Sequence, residues 1–175
     1  MGQQCQPERC TREKCDELCA VQSSRLSPTC ILGQQLLAAA RVGDSVGVRL
    51  CIANGAYLET RLPVMLHPVD RFDADAPVTH TGFTPLMYAS HGGYEACVGA
   101  LLDARAKAEV RDEDGTTPLH LAAASADLGC ARLLLEAGAR CNLDEEGRSV
   151  LEYLPADIRA DSAELKKWED LTADS

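Results

Sequence analysis

The sequence has few aromatic residues, no excess of positive charge and no long apolar run. Aromatic side chains make up 4% of the 175 residues, so a core must rest mainly on Leu, Ala, Val and Cys. The formal net charge of -10 argues against nucleic acid as a partner, because phosphate binding requires clustered Lys and Arg. No segment has the roughly 18 apolar residues that a membrane span needs. With 46% hydrophobic residues, the chain can still form one packed domain.

The first residues are mostly polar and lack the apolar stretch of a secretory signal, which predicts a cytoplasmic protein. The nine cysteines are an odd number and are then expected to be thiols. Cys51, Cys97 and Cys130 fall in apolar segments and are predicted to pack in the core. The four N-terminal cysteines lack the C-x2-C spacing of zinc sites, so no metal and no cofactor is predicted.

The start of the chain offers a candidate lipidation site. Met1-Gly2 followed by Cys5 is similar to an N-myristoylated, S-acylated terminus, and two acyl chains anchor a protein stably. Gln6 departs from that pattern, which has Ser or Thr at this position. Membrane association through Gly2 and Cys5 therefore stands beside the alternative of a plain tail.

A repeated motif runs through the middle of the chain. "TGFTPLMYAS" (81–90) and "DGTTPLHLAA" (114–123) share Gly, Thr-Pro-Leu and Ala at the same offsets, 33 residues apart. Fainter copies lie at 35–56 and 144–155. Thr84 and Thr117 are predicted helix N-caps, with Pro85 and Pro118 at the first helical position. Each unit therefore reads as a turn, a short helix, a loop and a longer helix.

A period of 33 residues with Thr-Pro-Leu-His and paired alanines resembles the ankyrin repeat. The resemblance implies an all-α fold, a solenoid of helix-turn-helix units joined by β-hairpin-like turns, with capping helices at its ends. The predicted division of the chain is an N-terminal tail with a capping helix (1–30), a repeat domain (31–155) and a C-terminal capping helix and tail (156–175). Within the repeat domain the units are 31–59, 80–112, 113–143 and a half repeat at 144–155.

About 17 extra residues interrupt the period between the first two units, at 60–79. One interpretation is that this insertion folds back over the degenerate first unit. The other is a partner-binding finger with Met65, Leu66 and Phe72 as anchors. At the ends of the stack, a helix at 12–22 with Cys15, Leu18 and Cys19 on one side is predicted to cover the first unit.

The C-terminal segment 155–171 is predicted to cover the last unit, with Trp168 half buried. The alternative for this segment is a docking helix for a partner.

His120 lies beside hydroxyls, but the sequence does not favour catalysis. No Ser or Cys lies in a nucleophile-elbow context and no Gly-rich phosphate loop follows a strand, so an enzyme and a small-molecule substrate are not predicted. In the ankyrin repeat, which this segment resembles, the Thr and His side chains form hydrogen bonds at the helix start. Thr117 and His120 match those positions, whereas the second unit has Met87 in place of His.

The resemblance implies that another protein binds the concave face and the hairpin tips. The positions carried over are Arg41, Val42, His80, Thr81, Phe83, His91, Glu113, Asp114, Thr116, Ala124, Ser125, Glu145, Glu146 and Arg148. Phe83 is expected to be an exposed anchor beside a row of carboxylates, which favours a partner with an apolar anchor and basic flanks. The predicted function is a monomeric adaptor, with a lipid-anchored adaptor or a regulatory subunit of an enzyme as alternatives.

Overall fold

The structure, a computed structural model, describes residues 28–61 and 82–173, with side chains from residue 31 onward. The described part of the chain is helical. In chain order the helices are α1 (Pro28–Val42), α2 (Ser45–Ala53), α3 (Pro85–His91), α4 (Glu95–Asp103), α5 (Pro118–Ala124), α6 (Leu128–Glu136), a 3-10 helix (Val150–Tyr153), α7 (Ala156–Ala160) and α8 (Ser162–Ala173). The predictions for Gly2, Cys5, the helix at 12–22, His80, Thr81 and nearly all of the 60–79 insertion lie outside the described residues.

Each unit is a pair of antiparallel helices whose starts are fixed by local chemistry. The hydroxyl of Thr84 accepts a hydrogen bond from the Met87 amide at 3.3 Å, and Pro85 occupies the first position of α3. Asp127 caps α6 by accepting from the Cys130 amide at 2.6 Å. The predicted turn–helix–loop–helix order is therefore confirmed in the repeated region.

The core lies between the helices of successive units. α1 contacts α3, α3 contacts α5, and α5 contacts the 3-10 helix, while α2, α4 and α6 stack in the same order behind them. Small residues in the C-terminal half of each first helix let the helices approach closely. The residues buried at these equivalent positions are Ala39, Ala40, Ala89, Ser90, Ala122 and Ala123.

The cysteine prediction is confirmed, because Cys51, Cys97 and Cys130 are all buried and unpaired. Burial raises the pKa of each of these thiols, and the nearby carboxylates of Asp44 and Asp127 add to the effect. Because a thiol with a raised pKa is rarely deprotonated, these three residues act as small apolar side chains.

The last unit is shortened and is covered by the C-terminal helices. Its first helix is a single 3-10 turn, Val150–Tyr153, capped by Ser149, whose amide donates to the Glu152 carboxylate at 2.6 Å. The Sγ of Cys141, in the third unit, lies 3.9 Å from the Thr172 carbonyl and so connects α8 to the third unit. Trp168 is only 1% exposed, so the prediction of a half-buried indole was wrong. α8 presents the whole ring to the core.

Among the described residues, no helix has the length and apolar character needed to cross a membrane.

Candidate protein-binding surface

Two hairpin-like turns, before α5 and before the 3-10 helix, are built by the same local chemistry. The Oδ1 atom of Asp112 accepts from the amides two and four residues further on, at 3.0 and 2.7 Å. Asp144 does the same at 2.9 and 2.8 Å. Gly115 and Gly147 take the positive φ angles of 74° and 79° that these turns require. The acidic sequences of the turns thus have a structural role at their first residue.

The turns of neighbouring units are joined to one another. The Glu145 amide donates to the Asp114 carbonyl at 3.1 Å. One unit earlier, the Arg61 guanidinium donates to the carbonyls of Gly82 at 2.7 Å and Arg111 at 2.8 Å. Arg61 and Gly82 flank the undescribed segment 62–81, so the two ends of that insertion are held together. These bonds align the tips of successive turns into a row.

Four carboxylates project from the tips of this row. We name them the acidic ridge: Glu113, Asp114, Glu145 and Glu146, all of which are exposed. Glu146 forms an ion pair with Arg148 at 3.1 Å. The ridge is therefore a solvent-facing strip of negative charge on a backbone that cross-turn hydrogen bonds hold in place.

A buried carboxylate supports the ridge from below. Asp144 Oδ2 accepts from Arg148 Nε and from the Tyr153 hydroxyl, both at 2.7 Å, and its side chain is completely buried. Tyr153 also lies 3.3 Å from the Thr116 hydroxyl in the preceding turn. Burial opposes ionisation, but the hydrogen bonds from Tyr153 and Arg148 prevail and hold the pKa of Asp144 well below its usual range.

His120 has the structural role that the sequence predicts. Its Nδ1 lies 3.2 Å from the Thr117 amide and 2.8 Å from the Thr117 hydroxyl. Because Nδ1 accepts from that amide, the hydrogen of the neutral ring is assigned to Nε2. The ring is fully buried and packs edge-on to Tyr153, with centroids 4.9 Å apart.

Burial lowers the pKa of His120, and the nearby Asp144 carboxylate only partly opposes this effect. By geometry Nε2 forms no hydrogen bond among the described residues, although the carbonyls of Arg148 and Asn142 are close enough to favour its charged form. The neutral ring accepts a hydrogen bond from the amide at the helix start and has no access to solvent. It is therefore suited to stabilising the turn and does not offer an accessible base.

Two residues predicted at the contact surface are covered instead. Phe83 is 4% exposed, so the expectation of an exposed aromatic anchor was wrong. Its ring turns inward against Tyr88, 5.4 Å between centroids, and toward His91 at 6.4 Å. Thr116 is also buried, because its hydroxyl faces Tyr153. For Phe83 packing within its own unit, and for Thr116 a contact with the following unit, outweighs the position in the repeat.

The remaining predicted residues divide into exposed and half-buried positions. Arg41, Val42 and His91 are exposed at the ends of the first helices. Ala124 and Ser125 are half buried, and the Ser125 hydroxyl donates to the Ser90 carbonyl of the preceding unit at 3.1 Å. The helix ends and the acidic ridge thus offer an exposed surface without an aromatic anchor.

Sequence reasoning missed the residues that hold this surface in shape. Arg61 and Arg111 bind carbonyls in neighbouring turns, and Tyr153 connects two turns through its hydroxyl. A signal was present, since Arg61 and Arg111 occupy equivalent positions before the turns of successive units. Their role depends on the distance between turns, which only the stacked structure gives.

Comparison with known proteins identifies the family. Residues 36–145 match the family model described as ankyrin repeats, in three copies. That match covers more than half of the chain. The chain belongs to the ankyrin-repeat family. The ankyrin repeat is a general protein–protein interaction module and a non-enzymatic fold, so the surface above is compared with protein interfaces and not with active sites.

The relatives are similar over limited stretches. The chain is 60% identical over 47 residues to "Ankyrin repeat and SOCS box protein 16" of Homo sapiens, which is 27% of this chain and 10% of that protein. It is 31% identical over 137 residues to "E3 ubiquitin-protein ligase KEG" of Arabidopsis thaliana, 75% of this chain and 8% of that protein. It is 33% identical over 70 residues to "Ankyrin repeat protein nuc-2" of Neurospora crassa, 40% of this chain and 7% of that protein. The chain therefore spans a tenth or less of the length of these curated relatives.

Proposed function

We propose that this ankyrin-repeat chain is an adaptor that binds a basic surface of a partner protein through the acidic ridge. The observation that carries the proposal is the ridge itself, four exposed carboxylates on two turns that a backbone hydrogen bond of 3.1 Å joins. The net charge of -10 adds a long-range attraction for basic partners.

The partner chemistry follows from what the surface offers. Exposed carboxylates at an interface rim raise the association rate and select the partner more than they raise affinity. An apolar anchor of the partner would lie beside the ridge, against the helix ends near Ala124, since Phe83 is buried and does not take part. Lys or Arg residues flanking that anchor would face Glu113 and Glu145.

The test is quantitative affinity capture with the intact chain. In the ridge variant, Glu113→Gln, Asp114→Asn, Glu145→Gln and Glu146→Gln remove four charges while keeping side-chain size. Captured partners are compared by mass spectrometry at about 50 and 200 mM salt, a range over which exposed charge pairs become more strongly screened. The ridge variant should lose the partners whose capture by the wild type is salt-sensitive.

A control variant changes the same number of charges elsewhere. Glu136→Gln, Asp157→Asn, Glu169→Gln and Asp170→Asn lie at exposed positions away from the ridge. It should capture the same partners as the wild type. Equal partner lists for all three proteins, or an equal loss with both variants, would contradict the proposal.

The membrane-tethered form of this adaptor stays a prediction from Gly2 and Cys5 alone. In that form the lipid would set the location and the repeats would select the partner. Fractionation of cells that produce wild type or Gly2→Ala separates the two forms. A soluble wild-type protein whose first residue is unmodified by mass spectrometry would remove the tether. The regulatory-subunit alternative would require the captured partner to be an enzyme whose rate changes on binding.

A further inference from the structure

The first unit carries an exposed apolar surface on the side opposite the second unit. We name it the end face: Ile31, Ala38 and Val42 on α1, with Val46 and Leu50 on α2. Val42, Val46 and Leu50 are 66%, 67% and 59% exposed. The three α1 residues follow one another at spacings of seven and four residues, which places them on one side of that helix.

Residues equivalent to the α1 part of this face are buried in later units. Tyr88 and Leu121 correspond to Ala38, and both are buried on helices that contact the preceding unit. Burial raises the pKa of Tyr88, and the charge of Arg41, in the first unit, partly opposes that rise. Ala38 is exposed because no described residue covers the corresponding side of the first unit.

In the third unit, the residues equivalent to Val42 and Val46 contact the preceding unit directly. Ser125 corresponds to Val42, and its hydroxyl donates to a carbonyl of α3 at 3.1 Å. Gly129 corresponds to Val46, and a Cβ at this glycine would collide with the Glu95 carboxylate. The end face therefore includes positions through which the third unit contacts its neighbour.

The side chains on the end face do not suit another ankyrin unit. Where the third unit has serine and glycine to let its neighbour approach, the first has two valines, so the covering element must lie further away or have another shape. A second copy of the chain is also a poor match. The three most exposed side chains offer roughly 300 Å², against about 800 Å² per partner in a stable dimer.

We propose that residues 12–22 of this chain pack antiparallel to α1 and cover the end face. These residues lie outside the described part of the chain, which starts at Pro28, the first residue of α1. As a helix, 11 residues extend about 17 Å, the same as the span from Ile31 to Val42 along α1. Residues 23–27 form a connection of the length that joins antiparallel helices. Cys15, Leu18 and Cys19 supply the apolar side.

Thiol labelling of the intact, unacylated protein tests this packing, because the segment carries its own probes. Cys15 and Cys19 lie within it, whereas Cys5 and Cys10 precede it. Labelling rates from peptide mass spectrometry are divided by the rates of the same thiols in urea. In the wild type, Cys15 and Cys19 should react at least about tenfold more slowly than Cys5 and Cys10.

Leu50→Asp places a charge on the end face and should bring Cys15 and Cys19 to the rates of Cys5 and Cys10. Leu143→Asp is the matched control, since Leu143 is 55% exposed on another unit and its substitution should leave the protection intact. Unchanged far-UV circular dichroism and unchanged labelling of Cys97 show that the stack remains folded. Val46→Asp should reproduce the effect of Leu50→Asp.

Three outcomes would overturn the proposal. Equal labelling of all four N-terminal thiols in the wild type would leave the end face without this cover. Protection that persists in both Leu50→Asp and Val46→Asp would place the segment elsewhere. A concentration-dependent dimer in sedimentation that Leu50→Asp dissociates would assign the face to a second copy of the chain.

Discussion

The two ends of the described stack differ in how their apolar surface is covered. At the C-terminal end, α8 buries Trp168 to 1% exposure and contacts Cys141 of the third unit through Thr172. At the N-terminal end, Val46 and Leu50 remain mostly exposed on α2. The outward side of a repeat is apolar because it is built for a neighbour, so each end of a stack needs a segment of different sequence to cover it.

This difference shows that the two covers make separate contributions to stability. The middle units stabilise each other through repeated contacts, whereas an end unit depends on a cover that occurs once in the sequence. Substitutions at the C-terminal end should therefore act through a large buried side chain, and those at the N-terminal end through several smaller ones.

The largest effect is expected at the C-terminal cover. Trp168→Ala should lower the free energy of unfolding by about 3–5 kcal/mol, because it removes a fully buried indole and leaves a cavity. Urea unfolding followed by circular dichroism measures the loss. Glu169→Ala, at the exposed neighbouring residue, should change stability by less than about 0.5 kcal/mol. Similar values for the two variants would mean that α8 does not seal the stack.

The next largest loss of stability is expected at the turn that contains Asp144, beside the C-terminal cover. Asp144→Asn should lower the melting temperature more than Asp112→Asn does, because only Asp144 is buried against Arg148 and Tyr153. The two turns share their amide hydrogen bonds, so their difference isolates the buried network. Thermal unfolding of both variants makes the comparison, and equal losses would leave the network without a role.

The same carboxylate predicts an acid limit to stability. Since the folded-state pKa of Asp144 is lowered, its contribution is complete above the unfolded-state value of about 3.9 and is lost as the pH falls below it. Urea unfolding at pH 5 and pH 3 should show a larger decline for the wild type than for Asp144→Asn. An equal decline in the two proteins would show that other carboxylates dominate the loss of stability in acid.

His120 predicts a second loss of stability on acidification, which begins at a higher pH than the loss due to Asp144. Burial lowers the pKa of its imidazole in the folded state, so stability is complete above the unfolded-state pKa of about 6.5 and falls as the pH drops below that value. One proton accounts for at most about 1.4 kcal/mol per pH unit. Unfolding at pH 7.5 and 5.5 should therefore show a steeper decline for wild type than for His120→Gln. An identical dependence of stability on pH in the two proteins would contradict the assignment of His120 as a neutral, buried ring.

The smallest of these effects is expected at the N-terminal end. Leu50→Ala should lower the free energy of unfolding of the intact chain by about 1–2 kcal/mol if residues 12–22 cover this side chain. Leu143→Ala, at a residue of similar exposure, should stay within about 0.5 kcal/mol of the wild type. Chemical unfolding of both variants makes the comparison. Small changes of equal size in the two variants would mean that residues 12–22 do not cover the N-terminal end, whereas α8 covers the C-terminal end.

Local features of the fold could be read from the sequence, and features that depend on neighbours could not. Thr84 and Thr117 mark helix starts because a hydroxyl cap acts within a few residues. Phe83 was misassigned because its exposure depends on where Tyr88 and His91 lie after packing. The third unit has glycine at the position of Val46. The exposure of Val46 could not be predicted from this difference, because it depends on the contacts that the third unit makes there.

The candidate site divides in the same way. The acidic ridge follows from the order of residues in each turn, so its four carboxylates could be predicted from the repeat. The support beneath it combines Asp144 and Tyr153 with Thr116 of another unit, which the sequence separates by 28 residues or more. Such contacts depend on the spacing between units, which the repeat period does not specify.

The central claim, that the acidic ridge contacts a basic partner, is tested most directly by zero-length cross-linking of captured complexes. A carbodiimide joins carboxylates to lysines only when they are in contact, and mass spectrometry then locates the linked residues. If the acidic ridge forms the contact, links to partner lysines should concentrate on Glu113, Asp114, Glu145 and Glu146. Links that fall mainly on Glu136, Asp157, Glu169 and Asp170 would contradict it.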